Sequence, residues 1–237
     1  MGTAYALLRA GFPYVKTIGM RRITSNPIDL AFGQAGRLYV LGRGALATEI
    51  RRTSWDDEDL GTIGGPGTTD GKFLWPAALL ADAQEQLYVS DEGCHRISMF
   101  APDGTFVGKW GEHGSGPGQL NRPSGLAFDA AGNIYVVDTM NHRVQLFTRQ
   151  GTLLLQWGSF GTGEGQFNMP WGIAVDDAGD VYVADWRNDR IQKFQPDGTF
   201  QWMFGSSGKS DGQFNRPTGV TVDGHGDIYV ADWGNDR

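Results

Sequence analysis

Short runs in which hydrophobic and polar residues alternate recur along most of the chain. One clear copy has such runs at 125–129, 134–137, 143–147 and 153–157, separated by Gly, Asp and Asn. A period of two, bounded by turn-forming residues, is typical of antiparallel β-strands. The pattern therefore predicts units of four short strands, with no convincing helical segment.

The four-strand unit repeats at a nearly constant interval. Pro76, Pro123, Pro170 and Pro217 lie 47 residues apart, and a weaker copy starts at Pro27, which precedes Pro76 by 49 residues. One four-stranded sheet cannot bury both of its faces, but stacked copies bury them against each other. The repeat therefore predicts an all-β chain folded as a β-propeller, with each unit forming one antiparallel blade.

The unit length also sets expectations for the whole ring. We predict a single domain, residues 1–237, of about five blades from a six-bladed type, because six blades at this period would need about 280 residues. An incomplete ring would expose two sheet faces that aggregate or recruit a partner. The predicted blades are about residues 20–64, 65–111, 112–158, 159–205 and, in part, 206–237, with 14–19 as the outer strand of the closing blade.

A specific motif accompanies the strands. Residues 123–129 read PSGLAFD and residues 134–144 read IYVVDTMNHRV, and the other copies follow the same pattern. This resembles the NHL repeat of six-bladed propellers, over essentially the whole chain with a degenerate first blade. The resemblance implies the fold and says little about function, because propellers carry many activities.

An Asp and an Arg bracket the loop after the second strand of each complete unit. We interpret them as structural ion pairs or hydrogen-bonded brackets rather than catalytic groups. Blade 1 lacks both, with Gly42 and Glu49 in their places. The predicted pairs are Asp91 with Arg96, Asp138 with Arg143, Asp185 with Arg190, and Asp232 with Arg237.

His95, His142, Asp189 and Asp236 share one repeat position, which raises the possibility of a metal site. Equivalent positions in adjacent blades diverge from the axis, so we expect loop residues and no metal or other cofactor. Cys94 is interpreted as a substituted turn residue. The acidic run at 56–59 and the glycine-rich runs at 114–118, 161–165 and 205–212 are interpreted as turns and crossovers.

Large side chains form the remaining candidates. Trp110, Trp157 and Trp202 fall in outer strands and are predicted to pack between blades. Strand alternation places a second set on one loop-rich face, where it would either stiffen neighbouring loops or contact a partner. That predicted binding set is Trp171, Trp186, Arg187, Trp233, Met140 and His142.

Composition narrows the function classes. The 237 residues have a formal net charge of -7 and one cysteine. The charge disfavours a nucleic-acid-binding surface. No apolar run reaches the roughly 20 residues of a membrane span, so no membrane contact is expected. Without a recognisable targeting signal, we expect a cytoplasmic protein.

We therefore expect a non-catalytic scaffold that binds a protein or peptide through one loop-rich face. An enzyme remains the alternative, because the resemblance includes peptidyl-α-hydroxyglycine amidating lyase, a metal-dependent propeller with ligands at strand starts. The corresponding positions here are Ala77, Ser124, Trp171 and Thr218, which are not zinc ligands. Ligands for a lyase or hydrolase would have to come from blades beyond the visible ones.

Overall fold

The computed structural model describes residues 26–44 and 48–237. The predicted strand at 14–19 lies outside the described residues. The described strands form four four-stranded sheets and one two-stranded sheet, all antiparallel. They are β1 (Pro27–Phe32), β2 (Arg37–Gly42), β3 (Glu49–Ser54), β4 (Asp59–Gly64), β5 (Pro76–Ala81), β6 (Leu87–Asp91), β7 (Arg96–Phe100), β8 (Phe106–Trp110), β9 (Pro123–Phe128), β10 (Ile134–Asp138), β11 (Arg143–Phe147), β12 (Leu153–Trp157), β13 (Ile173–Val175), β14 (Val181–Asp185), β15 (Arg190–Phe194), β16 (Phe200–Phe204), β17 (Pro217–Val222) and β18 (Ile228–Asp232).

Consecutive strands pair within each sheet, so each predicted unit forms one sheet in the order of the chain. We call these sheets blades 1 to 4, and β17 with β18 blade 5. The alternating runs of the sequence match the strand bounds closely, with β11 and β12 starting and ending where the pattern predicts. This confirms the prediction of an all-β propeller built from antiparallel blades.

The hydrophobic core consists of layers between neighbouring blades. One layer joins Ile50 and Ile63 of blade 1 to Val89 of blade 2, and the next joins Ile97 of blade 2 to Val136 of blade 3. Two further layers join blade 3 to blade 4 and blade 4 to blade 5. Each blade is thus stabilised by burying apolar surface against its neighbours.

The innermost strands approach closely around the central channel. A Cβ atom at Gly125 would lie 2.6 Å from the carbonyl oxygen of Trp171, and one at Gly172 would lie 2.5 Å from that of Thr218. The Gly125 N–H donates to the same Trp171 oxygen at 2.9 Å. A side chain cannot fit at either glycine without moving the neighbouring backbone, which explains the small residues of the motif.

The tryptophans of the outer strands pack as predicted in two blades and differently in the third. Trp110 is buried with its ring centroid 4.8 Å from Phe147, and Trp157 lies 5.7 Å from Phe194; both partners belong to the third strand of the next blade. Trp202 is 38% exposed and packs on Tyr182 of its own blade. The prediction of inter-blade packing is wrong for Trp202, because Phe204 and not Trp202 holds the register position of Trp157: Phe204 pairs with Ile191 as Trp157 pairs with Val144.

The ends of the strands define two faces of the molecule. The loops between second and third strands and the crossovers between blades lie at one end, which we call the upper face. Hydrogen bonds join them there, for example from Met140 N–H to Asn121 O. The lower face carries the remaining turns, in which Asp82, Asp129 and Asp176 each accept a turn N–H. No helix in the described part of the chain is long and apolar enough to cross a membrane.

Candidate binding face

A buried aspartate organises the upper loop of blade 3. Asp138 Oδ1 accepts the Asn121 N–H at 2.6 Å. Its Oδ2 accepts Asn141 Nδ2 at 2.8 Å, Arg143 Nε at 2.8 Å and Gln145 Nε2 at 3.0 Å. Burial raises the pKa of Asp138, although these donors oppose the shift. We call this arrangement the loop clamp.

The clamp recurs in the next two blades. In blade 4, Arg190 Nε lies 2.8 Å from Asp185 Oδ2, and in blade 5, Arg237 Nε lies 2.9 Å from Asp232 Oδ2. Asn188 and Asn235 take the place of Asn141.

The arginine of each clamp also fixes the glycine-rich crossover. Arg143 donates through Nη1 to Ser115 O, and through Nη2 to Gly116 O and Gln119 O. The crossover therefore directs several carbonyl oxygens towards a guanidinium group. A phosphate-binding loop would instead direct its N–H groups towards the ligand, so the structure supports the crossover interpretation of the glycine runs.

Blade 2 departs from the predicted ion pair. Arg96 lies on the crossover as expected, donating to Thr68 O, Thr69 O and Lys72 O. However, no ion pair joins it to Asp91 within residues 26–44 and 48–237. The carboxylate of Asp91 instead accepts four backbone N–H groups, from Leu74, Trp75, Gly93 and Cys94. The prediction differs because Cys94 replaces the asparagine of the other clamps and the carboxylate turns to the backbone.

The shared His or Asp position has a structural role between neighbouring blades. His95 Nδ1 accepts the Arg122 N–H at 3.1 Å, His142 Nδ1 accepts the Met169 N–H at 3.0 Å, and Asp189 Oδ1 accepts the Arg216 N–H at 2.7 Å. These residues have left-handed backbone angles, which Asp and His tolerate better than most residues. Both residue types thus supply the same feature, a hydrogen-bond acceptor on a residue with left-handed backbone angles.

Two predicted tryptophans come together beside the channel. The ring centroids of Trp171 and Trp186 are 6.4 Å apart, with ring planes tilted by 45°. The guanidinium carbons of Arg187 and Arg216 each lie 5.3 Å from the Trp186 ring centroid. We call Trp171, Trp186, Arg187 and Arg216 the tryptophan platform. Sequence reasoning missed Arg216, although its place just before a strand-starting proline could have indicated it.

A second cluster of charged side chains lies on the upper face where blades 1, 2 and 3 meet. Glu92 is 1% exposed and bridges two arginines, with Oε1 3.1 Å from Arg43 and Oε2 2.8 Å from Arg122. Arg43 also stacks on Trp75, 4.7 Å from its ring centroid, and Trp75 is 49% exposed. We call Arg43, Glu92 and Arg122 the arginine–glutamate triad; its members were not among the predicted site residues.

The other predicted binding residues also lie on the upper face. Met140 is exposed in the loop of blade 3, and Trp233 is 60% exposed in the loop of blade 5. His142 packs on Phe160, with ring centroids 5.0 Å apart. The six predicted residues thus share one face, but only Trp171, Trp186 and Arg187 form a joint cluster.

The central channel is a cavity of about 360 Å³ lined by Trp171, Thr218 and the inner strands. Asp29 is a charged residue in its lining and occupies the position of the motif glycine. Asp29 Oδ2 accepts the Leu79 N–H at 2.7 Å, and burial raises the pKa of Asp29 to about 6. The described residues contain no group of three His, Cys, Asp or Glu side chains that could hold a metal ion.

Cys94 has no feature of a reactive thiol. Its N–H donates to Asp91, and burial raises the pKa of the Cys94 thiol. A nucleophilic cysteine needs a lowered pKa.

Comparisons with known proteins agree with this architecture. The model of the NHL repeat matches residues 120–147, 167–194 and 214–237. The chain is 31% identical over 103 residues to NHL repeat-containing protein 3 of Mus musculus, which covers 42% of this chain and 30% of that protein. The match thus spans less than a third of the mouse relative.

Solved structures show the same fold at low identity. A streptogramin B lyase structure superposes with a TM-score of 0.64 and 15% identity, covering 86% of this chain and 61% of that chain. A structure of the nidogen/laminin complex gives a TM-score of 0.64 and 20% identity, covering 88% of this chain and 72% of that chain. At these identities the likeness concerns the fold alone.

Proposed function

Because the chain carries NHL repeats on a β-propeller fold, we propose that it is a non-catalytic binding module whose upper face receives a protein or peptide. The observation that carries this proposal is the tryptophan platform, where two indole rings and two exposed guanidinium groups lie together. Trp and Arg are the residues most enriched among side chains that dominate binding energy.

The loops beneath the platform support the same role. The clamps of Asp185 with Arg190 and of Asp232 with Arg237 fix the two loops that flank it. A surface that is rigid before binding loses less conformational entropy when a partner docks. The upper face therefore combines a fixed backbone with large side chains that are at least partly exposed.

The alternative, a metal-dependent lyase or hydrolase, has less support. The residues after the strand-starting prolines, such as Ala77 and Ser124, are not metal ligands. The channel lining contributes a carboxylate from Asp29, which is already bonded to the Leu79 N–H. The fold shared with streptogramin B lyase does not carry that enzyme's activity to this chain.

A binding experiment with a stability control tests the proposal. Proteins retained by the immobilised chain would be purified and titrated by calorimetry against the wild type and the Trp186→Ala, Trp233→Ala double variant. We expect the double variant to lose binding while its melting temperature hardly changes, because both rings lie on loops outside the inter-blade core.

The matched control is Leu154→Ala. Leu154 is 50% exposed on outer strand β12, so it removes a similar exposed apolar group away from the upper face. Equal binding by the wild type and the tryptophan variant would contradict the proposal. A large fall in melting temperature would instead assign the tryptophans to packing.

A further inference from the structure

We infer that the tryptophan platform recognises an acidic peptide segment, whose carboxylates pair with Arg187 and Arg216 while an apolar side chain rests on Trp186. This inference rests on the proposed function, because it names the chemistry of the partner at the same face.

The arginines of the upper face fall into two groups. Arg43 and Arg122 share the single carboxylate of the buried Glu92, and the clamp arginine Arg190 is paired with Asp185. Among the described residues, neither Arg187 nor Arg216 has a side-chain hydrogen bond or an ion pair, and both are exposed. Within the described residues, the platform is therefore where two exposed guanidinium groups lie together with no carboxylate bonded to either.

The geometry of the two arginines leaves their hydrogen-bonding edges open. Each guanidinium group stacks against Trp186 at 5.3 Å, and stacking uses the flat face of the group. The N–H donors lie on its edge, in a fork that matches both oxygens of a carboxylate. The shared ring also restrains both guanidinium groups, because each of them contacts Trp186.

The surrounding carboxylates do not occupy these forks. Asp185 lies in the clamp with Arg190. The Oδ1 atom of Asp189 accepts the backbone N–H of Arg216 rather than its side chain. Asp236 is exposed in the loop of blade 5 and makes no ion pair within the described part of the chain. A carboxylate supplied by a partner thus has no competitor bonded at the platform.

The charge of the rest of the molecule favours this orientation. The chain carries a formal charge of -7, and turns on the lower face hold carboxylates, such as those of Asp129 and Asp197, that make no ion pair among the described residues. An acidic segment is repelled from that face and attracted to the platform, which raises the rate of productive encounter.

The same observations disfavour a polynucleotide. Nucleic-acid affinity comes mainly from many phosphate contacts along a basic track. Here two unpaired guanidinium groups lie at a single ring, and the neighbouring Arg43 and Arg122 are held by Glu92. Such a site fits a local pair of carboxylates better than an extended phosphate backbone.

The test is a selection from a random-peptide library on the immobilised chain, repeated with an Arg187→Gln, Arg216→Gln double variant. We expect peptides enriched in Asp and Glu beside aromatic residues. Synthetic copies of the enriched peptides should bind the double variant about tenfold more weakly in a fluorescence polarisation titration. Arg122→Gln is the matched control, since it removes a paired arginine from the same face and should change the affinity little.

Several outcomes would overturn the inference. One is enrichment of neutral or basic peptides that still depend on Trp186, which would leave the proposed binding function intact. Another is no enrichment, or equal binding by the Arg187→Gln, Arg216→Gln variant. Tighter binding of an oligouridine probe than of the acidic peptides would assign the face to nucleic acid instead.

Discussion

In blade 3 the loop aspartate Asp138 accepts hydrogen bonds from three side chains, whereas Asp91 of blade 2 accepts four from backbone N–H groups. Both carboxylates are fully buried, and both loops run from the second strand to the third. Blade 2 has Cys94 and Ser98 where blade 3 has Asn141 and Gln145. The same loop can therefore be closed in two ways.

The different residues of blade 2 leave buried polar atoms without hydrogen-bond partners. Among the buried side-chain atoms that the structure describes, Arg96 Nε and Ser98 Oγ have no hydrogen-bond partner. In blade 3 the corresponding Arg143 Nε donates to Asp138, and Gln145 bonds both Asp138 and the Gly118 N–H. An unsatisfied buried polar atom costs about 1–3 kcal/mol. Blade 2 thus keeps the loop but loses part of the stabilisation.

The largest effect should come from removing the arginine of the complete clamp. Arg143→Ala would leave Asp138 buried without its charge partner, and we expect a loss of about 3–5 kcal/mol in the free energy of unfolding. Arg96→Ala should cost less, about 1–2 kcal/mol, because Asp91 keeps its backbone donors. Urea unfolding of both variants measures the difference. Equal losses would mean that the ion pair adds nothing beyond the crossover hydrogen bonds.

Exchanging the loop residues between blades should have an intermediate effect. Gln145→Ser in blade 3 removes the amide N–H that donates to Asp138 and the amide oxygen that accepts the Gly118 N–H. We expect the free energy of unfolding to fall by about 1–3 kcal/mol.

The reverse exchange, Cys94→Asn with Ser98→Gln in blade 2, should stabilise the protein by about 0.5–2 kcal/mol. The new amides can reach the Asp91 carboxylate, as their counterparts reach Asp138. Melting curves of both exchanges report the sign of each effect. A stabilising Gln145→Ser, or a destabilising double exchange, would refute the view of blade 2 as an incomplete clamp.

The repeat determines how much of the fold and of the loop clamp could be predicted from the sequence. Its period and alternation predict the blades and strand bounds, and the spacing of Asp138 and Arg143 predicts their pairing. The contacts of Arg143 with Ser115 and Gly116 were not predictable, because they join residues nearly 30 positions apart that meet only when the blade folds. The turn of Asp91 towards the backbone was not predicted either, although Cys94 in the place of Asn141 marks blade 2 as different.

The candidate face was predictable to a smaller extent. Strand alternation places Trp171, Trp186 and Arg187 on one end of the blades. The position of Arg216 over Trp186 comes from the packing of blade 5 on blade 4, which no local pattern encodes. Glu92 was missed for a similar reason, since its two arginine partners belong to the neighbouring blades.

The smallest effect concerns the junctions between blades, where His142 and Asp189 accept equivalent N–H groups. Burial lowers the pKa of His142, although Asp138 and Asp185 oppose the shift. Below about pH 6.5 the unfolded chain then binds more protons than the folded one. The contribution of His142 to stability is therefore complete above that pH and is lost as the pH falls towards the lowered pKa. Protonation also converts the Nδ1 acceptor into a donor, which breaks the bond from the Met169 N–H.

His142→Asp separates this contribution from those of other groups. The pKa of Asp29, raised to about 6, acts in the opposite direction, because stability from that group is lost as the pH rises from 3.8 towards 6. The difference in melting temperature between wild type and variant cancels the Asp29 contribution. We expect that difference to shift in favour of His142→Asp as the pH is lowered from about 7.5 to about 5.5, where an aspartate still accepts the hydrogen bond. A difference that stays constant with pH would show that the Nδ1 contact does not distinguish the histidine junction from the aspartate junction.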